Sequence, residues 1–257
     1  MIERNAAPLQ QIIGLLSPDH VDVAVTHGYL DVLGAELVPQ TVGQRMMGST
    51  VLPRIYERFW RPVLFWGFTQ RNQRDELRQK LELLDIRVGD TVLDLACGPG
   101  NTTRGLLLPG GSDGGAGLVV GVDSAATMLA QAVIETSADV PVGYVRADAA
   151  DLPFVDAAFD AVSCYGALYL MEDPAAALDE MLRVLKPGGR IAVLTTCARG
   201  PGSLRLAGAA MSRRTALRVF DRDEVTGAFQ RAGLVEIVQV ISAASQVVGA
   251  RRPMAAG

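Results

Sequence analysis

Three aspartates stand at or near the ends of apolar, strand-like runs. Asp94 lies inside one run just ahead of a glycine turn, Asp123 ends the next run, and Asp148 closely follows the third. The carboxyl ends of parallel strands meet along one side of a sheet, which is where such sheets bind ligands. Carboxylates there accept hydrogen bonds from hydroxyl, amine and ammonium groups. The pattern therefore favours a cationic ligand rich in donors over an anion.

The glycine turn Cys97-Gly-Pro-Gly100 directly follows the first run. Glycine permits positive φ and a close approach of ligand to backbone. One alternative is the GxGxxG fingerprint of a nicotinamide-dependent oxidoreductase. It fits poorly, because Thr103 stands where the third glycine or alanine belongs.

Two of the acids have alternative interpretations. Asp123 is placed to accept from both hydroxyls of a ribose, or to cap the following helix. Asp148 is placed to accept from an exocyclic amine, or to act as a turn aspartate.

Residues 86–200 alternate apolar, β-rich runs with Ala- and Leu-rich segments of helical length. This alternation predicts an α/β fold with a doubly wound, mostly parallel sheet covered on both faces. A strand or hairpin is expected around Gly28, and a strand pair over 234–250. The predicted strands are Thr91–Ala96, Leu118–Val122, Val142–Arg146, Ala161–Cys164 and Ile191–Thr195.

Composition excludes several classes of protein. The 257 residues carry a net charge of −4 without a basic stripe, which disfavours a nucleic-acid partner. No apolar run reaches the roughly 18 residues of a membrane span, and no signal peptide is recognisable. Three widely spaced cysteines and two histidines predict neither disulfides nor a metal site. We expect a reduced, cytoplasmic protein.

The motifs DLACGPG, GVD, ADAADLPF and RVLKPGGRIAVL stand in the order and spacing of one family. The chain resembles the class I S-adenosylmethionine (SAM)-dependent methyltransferases, and within them the ubiquinone/menaquinone-type (methyltransferase type 11-like) branch. The resemblance implies a seven-stranded, Rossmann-like, mostly parallel sheet with one antiparallel edge strand. It also implies that residues 185–189 form a structural turn before the fifth strand.

The resemblance also implies a cofactor site. The turn residues would hold the methionine part and ribose of SAM, and the acids would accept from the ribose hydroxyls and the adenine amine. A methionine would pack on the adenine, a backbone group would reach its ring, and a tyrosine would stand where the methionine end and the substrate meet. The matching positions are Asp94, Ala96, Gly98, Gly100, Asp123, Met128, Asp148, Ala149 and Tyr165.

Residues 1–85 are predicted to form an N-terminal extension and helical cap, and residues 86–257 the SAM-binding domain. Six aromatic side chains crowd segment 56–68. They favour a lid over the site, with plain core packing or a dimer contact as the alternative, and a homodimer stays open. Some similar methyltransferases carry a cysteine-rich zinc module here. This chain lacks those cysteines, so no zinc is expected.

Methyl transfer is a direct displacement, in which alignment supplies much of the acceleration. Tyr165 and Tyr169 are the candidate catalytic residues, and an aromatic wall without a proton role is the alternative. We expect an enzyme that methylates an O, N or C nucleophile of a small, hydrophobic or aromatic acceptor and releases S-adenosylhomocysteine (SAH). The alternatives are a non-catalytic SAM-binding protein and an RNA or protein methyltransferase.

Overall fold

A computed structural model describes residues 6–34, 73–107, 116–198 and 218–254. Nine strands of these residues form one sheet. The strands are β1 (Ala24–Thr26), β2 (Tyr29–Asp31), β3 (Thr91–Leu95), β4 (Leu118–Asp123), β5 (Val142–Arg146), β6 (Phe159–Tyr165), β7 (Leu185–Thr196), β8 (Val235–Ser242) and β9 (Ser245–Arg251). The helices are α1 (Ala6–Ile13), α2 (Gln73–Leu84), α3 (Asn101–Gly105), α4 (Ala126–Glu135), α5 (Pro174–Val184) and α6 (Glu224–Arg231). Short 3₁₀ helices cover Pro18–His20 and Leu168–Leu170.

The strand order across the sheet is β1-β2-β5-β4-β3-β6-β7-β9-β8. The chain moves from β3 outward to β4 and β5, then crosses back to place β6 on the other side of β3. The pairs from β2 to β7 are all parallel. The sheet therefore changes winding direction beside β3, and such switch points form ligand-binding crevices at the carboxyl ends of the strands.

The central strands are buried on both faces. In β3, Leu93 and Leu95 point into one apolar cluster and Val92 into the cluster on the other side. This is why these strands read as continuous apolar runs in the sequence. The predicted doubly wound, mostly parallel α/β sheet is confirmed.

The N-terminal residues extend this sheet. The hairpin of β1 and β2 turns at Gly28, as predicted, and β2 pairs in parallel with β5. Helix α1 covers the same end of the sheet, since a methyl group added at Gly143 would overlap the side chain of Ile12. The sheet therefore has two strands more than the seven expected. The sequence pattern predicted the hairpin but not that it would pair with β5. Which strand lies at the edge of a sheet depends on tertiary packing, which a local pattern does not contain.

The C-terminal strand pair is confirmed, and its placement corrects one expectation. The antiparallel strand β9 lies between β7 and β8, one position in from the edge. A two-residue connection, with Ala243 at φ 47°, joins β8 to β9. So short a connection forces the two strands to be antiparallel neighbours, and β8 becomes the edge strand.

Residues 185–189 differ from the turn that was expected. They lie within β7, where the pairing with β6 shifts register between Phe159 and Ala161. A Cβ at Gly189 would stand 2.7 Å from the carbonyl oxygen of Asp160. Glycine therefore permits a bulged strand here instead of a separate turn.

The aromatic segment 56–68 lies outside the described residues. Among the helices of the described ranges, none combines the length and apolar character needed to cross a bilayer.

The packing of α1 on the sheet can be tested with Ile12→Ala. Ile12 is 0% exposed, so the variant should lower the free energy of unfolding by about 2–5 kcal/mol. Val21→Ala, at a position 48% exposed, should change it by less than about 0.5 kcal/mol. Urea unfolding measures both, and equal effects would show that α1 does not contribute to the core.

Candidate functional site

The glycine turn joins β3 to α3 through three residues with positive φ. Ala96, Gly98 and Gly100 have φ of 55°, 56° and 77°. Ala96 occupies a left-handed conformation that costs a residue with a Cβ about 1 kcal/mol. A Cβ at Gly98 would meet no atom within 4 Å. The turn therefore faces open space at Gly98, as a backbone that closely approaches a ligand must.

Asp123, at the end of β4, clamps this turn to the next one. One carboxylate oxygen accepts a 2.8 Å hydrogen bond from the Gly98 amide, and the other a 2.9 Å bond from the Ala125 amide. The second bond reaches the amide two residues on, ahead of α4, and so forms an Asx turn. The N-cap position of α4 is Ala125, which has no side-chain cap, so the N-cap alternative for Asp123 is wrong. Loss of water around the carboxylate raises the pKa of Asp123, and backbone amides partly offset this. The side chain is partly exposed and has lone pairs left for a ligand.

Asp94 is enclosed, in contrast to Asp123. Only 2% of it is exposed, and its carboxylate accepts from Lys80 Nζ at 2.6 Å, Ser163 Oγ at 2.9 Å and Thr103 Oγ1 at 2.7 Å. Burial alone would raise the pKa of Asp94, but the Lys80 ammonium and these hydrogen bonds hold it below its usual value. We expected this carboxylate to be open to a cationic ligand. Protein donors occupy it instead.

Sequence reasoning missed Lys80, which is 0% exposed. The feature of the sequence that could have identified Lys80 is its position on α2. The spacing from Leu77 to Lys80 and from Lys80 to Leu84 puts the lysine on the buried face of an amphipathic helix. A lysine on that face requires a buried acid as partner, and Asp94 is that acid.

The predicted adenine residues lie beyond β5. Asp148 is exposed and accepts a 3.0 Å bond from the Ala150 amide, so it makes the contact of a turn aspartate. Ala149 is half-buried beside it, and Met128 is buried on α4. Their contacts with an adenine ring stay predictions.

The two candidate tyrosines lie at the carboxyl end of β6. Tyr165 is its last residue, half-buried, with Lys80 Nζ 4.9 Å from its ring centroid. Tyr169 is half-buried in the 3₁₀ helix that follows, and its carbonyl accepts from the Arg218 amide at 2.9 Å. Both lie at the carboxyl end of the parallel strands, where the glycine turn also lies. Their catalytic role stays a prediction.

The three cysteines are buried and form no disulfide among the described residues. Burial raises the pKa of the Cys164 thiol to about 12 and that of Cys97 well above its usual value. Cys97 and Cys164 are therefore packing residues in their thiol form. The described residues contain no cluster of three or more metal-ligating side chains.

The structure thus brings Asp94, Ala96, Gly98, Gly100 and Asp123 together at the switch point of the sheet, with Tyr165 across from them on β6. A parallel sheet that winds both ways from β3, with a glycine turn after β3 and an acid after β4, is a Rossmann-like arrangement.

Comparison with known proteins also indicates a methyltransferase. Residues 93–193 match the methyltransferase domain family. The chain is 42% identical over 105 residues to a demethylmenaquinone methyltransferase of Clavibacter sepedonicus, which covers 41% of this chain and 40% of that protein. It is 32% identical over 158 residues to the demethylmenaquinone methyltransferase of Bacillus licheniformis, which covers 61% and 65%.

Solved structures show the same fold. A methyltransferase of Haloferax volcanii, solved in complex with a methyltransferase activator, has a TM-score of 0.61 at 20% identity and covers 79% of this chain and 97% of that chain. Phosphoethanolamine N-methyltransferase 2 of Haemonchus contortus has a TM-score of 0.65 at 16% identity and covers 85% and 61%.

The chain carries a SAM-dependent methyltransferase domain over residues 93–193, as the sequence motifs predicted. In sequence this domain is similar to the two demethylmenaquinone methyltransferases. The chain spans between 40% and 65% of the length of the two curated relatives described above.

The two glycines of the turn should respond differently to alanine. A Cβ at Gly100 would overlap the buried Tyr144 hydroxyl and stand 2.9 Å from Arg104 Nη1, so Gly100→Ala should lower the free energy of unfolding by about 3 kcal/mol. Gly98→Ala meets open space and should cost only about 1 kcal/mol of backbone strain. Chemical denaturation measures the difference, and an equal loss would contradict this geometry.

Because Asp94 is enclosed and has a lowered pKa, the free energy of unfolding should depend on pH. Its lowered pKa contributes stability that is fully present above about pH 4 and is lost as the pH falls through the lowered value. Asp94→Asn should therefore be less stable than the wild type at pH 7, by an amount that shrinks below pH 4. Urea unfolding between pH 7 and pH 3 checks this, with the exposed Asp156→Asn as the control for net charge. A difference that stays constant with pH would contradict the assignment.

Proposed function

We propose that the protein transfers a methyl group from SAM to an O, N or C nucleophile of a small hydrophobic or aromatic acceptor and releases SAH. One observation carries the proposal. The Gly98 amide and the Asp123 carboxylate are locked 2.8 Å apart at the switch point, beside open space. SAM supplies an electrophilic methyl group on a sulfonium, and the chain's residues need only bind and align it.

The residues present suit SAM in charge and in hydrogen bonding. Asp123 is partly exposed and has acceptor capacity for two ribose hydroxyls. The turn offers close backbone approach at Gly98, and Asp148 presents an exposed carboxylate beyond β5. Ala149 and Met128 complete the proposed adenine pocket.

A nicotinamide cofactor suits the turn less well. Thr103 stands at the third glycine position of that fingerprint and donates a 2.7 Å hydrogen bond to Asp94. A glycine there would leave the buried carboxylate with one donor fewer. This observation favours SAM over a dinucleotide.

The nature of the acceptor is part of the same proposal. Tyr165 and Tyr169 offer aromatic surface at the carboxyl end of β6. The relatives named as demethylmenaquinone methyltransferases support an aromatic, quinone-like acceptor. A cytoplasmic location belongs to this proposal too.

The cofactor assignment is tested by calorimetric titration with SAM, SAH and NAD. Wild type should bind the first two and not NAD. Asp123→Ala should weaken SAM binding about 10- to 100-fold, the loss expected for a charged hydrogen bond. Asp156→Ala, which changes a carboxylate 80% exposed on the surface, should leave the affinity unchanged. Full affinity in Asp123→Ala would rule out this site.

The proposed proton acceptor is tested with Tyr165→Phe and Tyr169→Phe. If one phenol takes the acceptor's proton, that variant should lose about 100-fold in kcat with SAM affinity retained. Transfer of a labelled methyl group from SAM to a reduced naphthoquinone measures this. Full kcat in both variants would favour the aromatic-wall alternative.

A further inference from the structure

Lys80 and Asp94 are the two charged side chains that lie fully enclosed among the residues that the structure describes. Enclosing two ions costs several kcal/mol each, and their attraction often does no more than offset that cost. Replacing such a pair by apolar side chains is often neutral for stability or even favourable. Stability alone therefore does not account for a lysine in the core of α2.

The pair lies beneath the proposed cofactor site. Lys80 Nζ is 2.6 Å from Asp94 on β3 and 4.9 Å from the ring centroid of Tyr165 on β6. Asp94 also accepts from Thr103, which lies in the helix that follows the glycine turn. Lys80 therefore contacts the two strands that border the switch point and, through Asp94, the helix that follows the turn.

The pair also sets the charge of the site. Lys80 and Asp94 carry opposite charges and cancel each other, whereas the hydrogen-bond donors to Asp123 among the described residues are backbone amides. SAM carries one positive charge more than SAH, on the sulfonium. Fixed charges in a poorly solvated site act on such a difference more strongly than they would in water.

We propose that Lys80 is a specificity-determining residue of the methyl-transfer site. Its ammonium cancels the attraction of Asp94 for the sulfonium and so lowers the preference of the site for the cationic donor SAM over the neutral product SAH. This inference rests on the proposed function. It concerns the ratio of the two affinities, which the ammonium and carboxylate common to SAM and SAH do not affect.

Titrations of SAM and SAH at pH 8.5 with four proteins test the proposal. Lys80→Met should raise the ratio Kd(SAH)/Kd(SAM) by about 3- to 20-fold, and Asp94→Asn should lower it by a similar factor. The double variant Lys80→Met/Asp94→Asn removes both charges and should return the ratio to that of the wild type. A purely structural role would change both affinities together and leave the ratio constant in all four proteins.

Two further variants keep the test decisive. Lys80→Gln removes the charge but keeps a donor for Asp94, so it should fold where Lys80→Met does not and should shift the ratio in the same direction. Lys186→Met breaks another Lys–Asp pair, 2.8 Å from Asp160 near the amino end of β6, and should leave the ratio unchanged. A ratio that stays constant in Lys80→Gln and Asp94→Asn, with SAM still bound, overturns the inference alone. A wild type that binds neither SAM nor SAH overturns the proposed function with it.

Discussion

The carboxylate of Asp94 is bound from three sides, and the geometry of the site depends on it. Helix α2 contributes Lys80, β6 contributes Ser163, and α3 contributes Thr103. A buried carboxylate is tolerated only when it is paired and hydrogen-bonded. Displacing any one of these elements would leave the charge incompletely satisfied. The glycine turn is therefore held at a fixed position relative to β6, where Tyr165 stands.

A second ion pair extends this frame to the N-terminal hairpin. Arg146 lies opposite Asp123 in the sheet and donates to the Ser124 carbonyl at 3.0 Å. The same guanidinium binds Asp31 of β2 at 3.2 Å, and both partners are nearly buried. The loop that carries the proposed ribose acid is thus connected to the hairpin by side chains as well as by strand pairing.

The central sheet could be predicted from the sequence because its strands are buried on both faces. Such strands appear as uninterrupted apolar runs, and the predicted and observed limits of β5, Val142–Arg146, are identical. The edges were less predictable. The position of β2 beside β5 and that of β9 inside β8 depend on contacts between distant segments, which a local pattern does not contain.

In the site, too, some residues could be predicted from the sequence and others could not. The glycines and acids at strand ends were predictable, since their residue types are required by the turn and by the ligand. Lys80 and Arg146 were not, because a lysine or an arginine in an ordinary sequence is exposed far more often than buried. Only the partner identifies such a residue as part of a site. In each case here the partner, Asp94 or Asp31, comes from a different part of the chain.

The two central carboxylates have opposite pKa shifts, and this contrast separates their roles. Burial raises the pKa of Asp123, which backbone amides only partly offset, whereas Lys80 and the hydroxyls of Thr103 and Ser163 keep that of Asp94 low despite its burial. When the surroundings of two acids shift their pKa values in opposite directions, the two acids usually have different roles. The charge of Asp94 is neutralised by partners inside the protein, and these contacts fix the position of the helix that follows the turn. Asp123 is partly exposed and has no cationic partner among the described residues, which supports its proposed role as the carboxylate that binds the ligand.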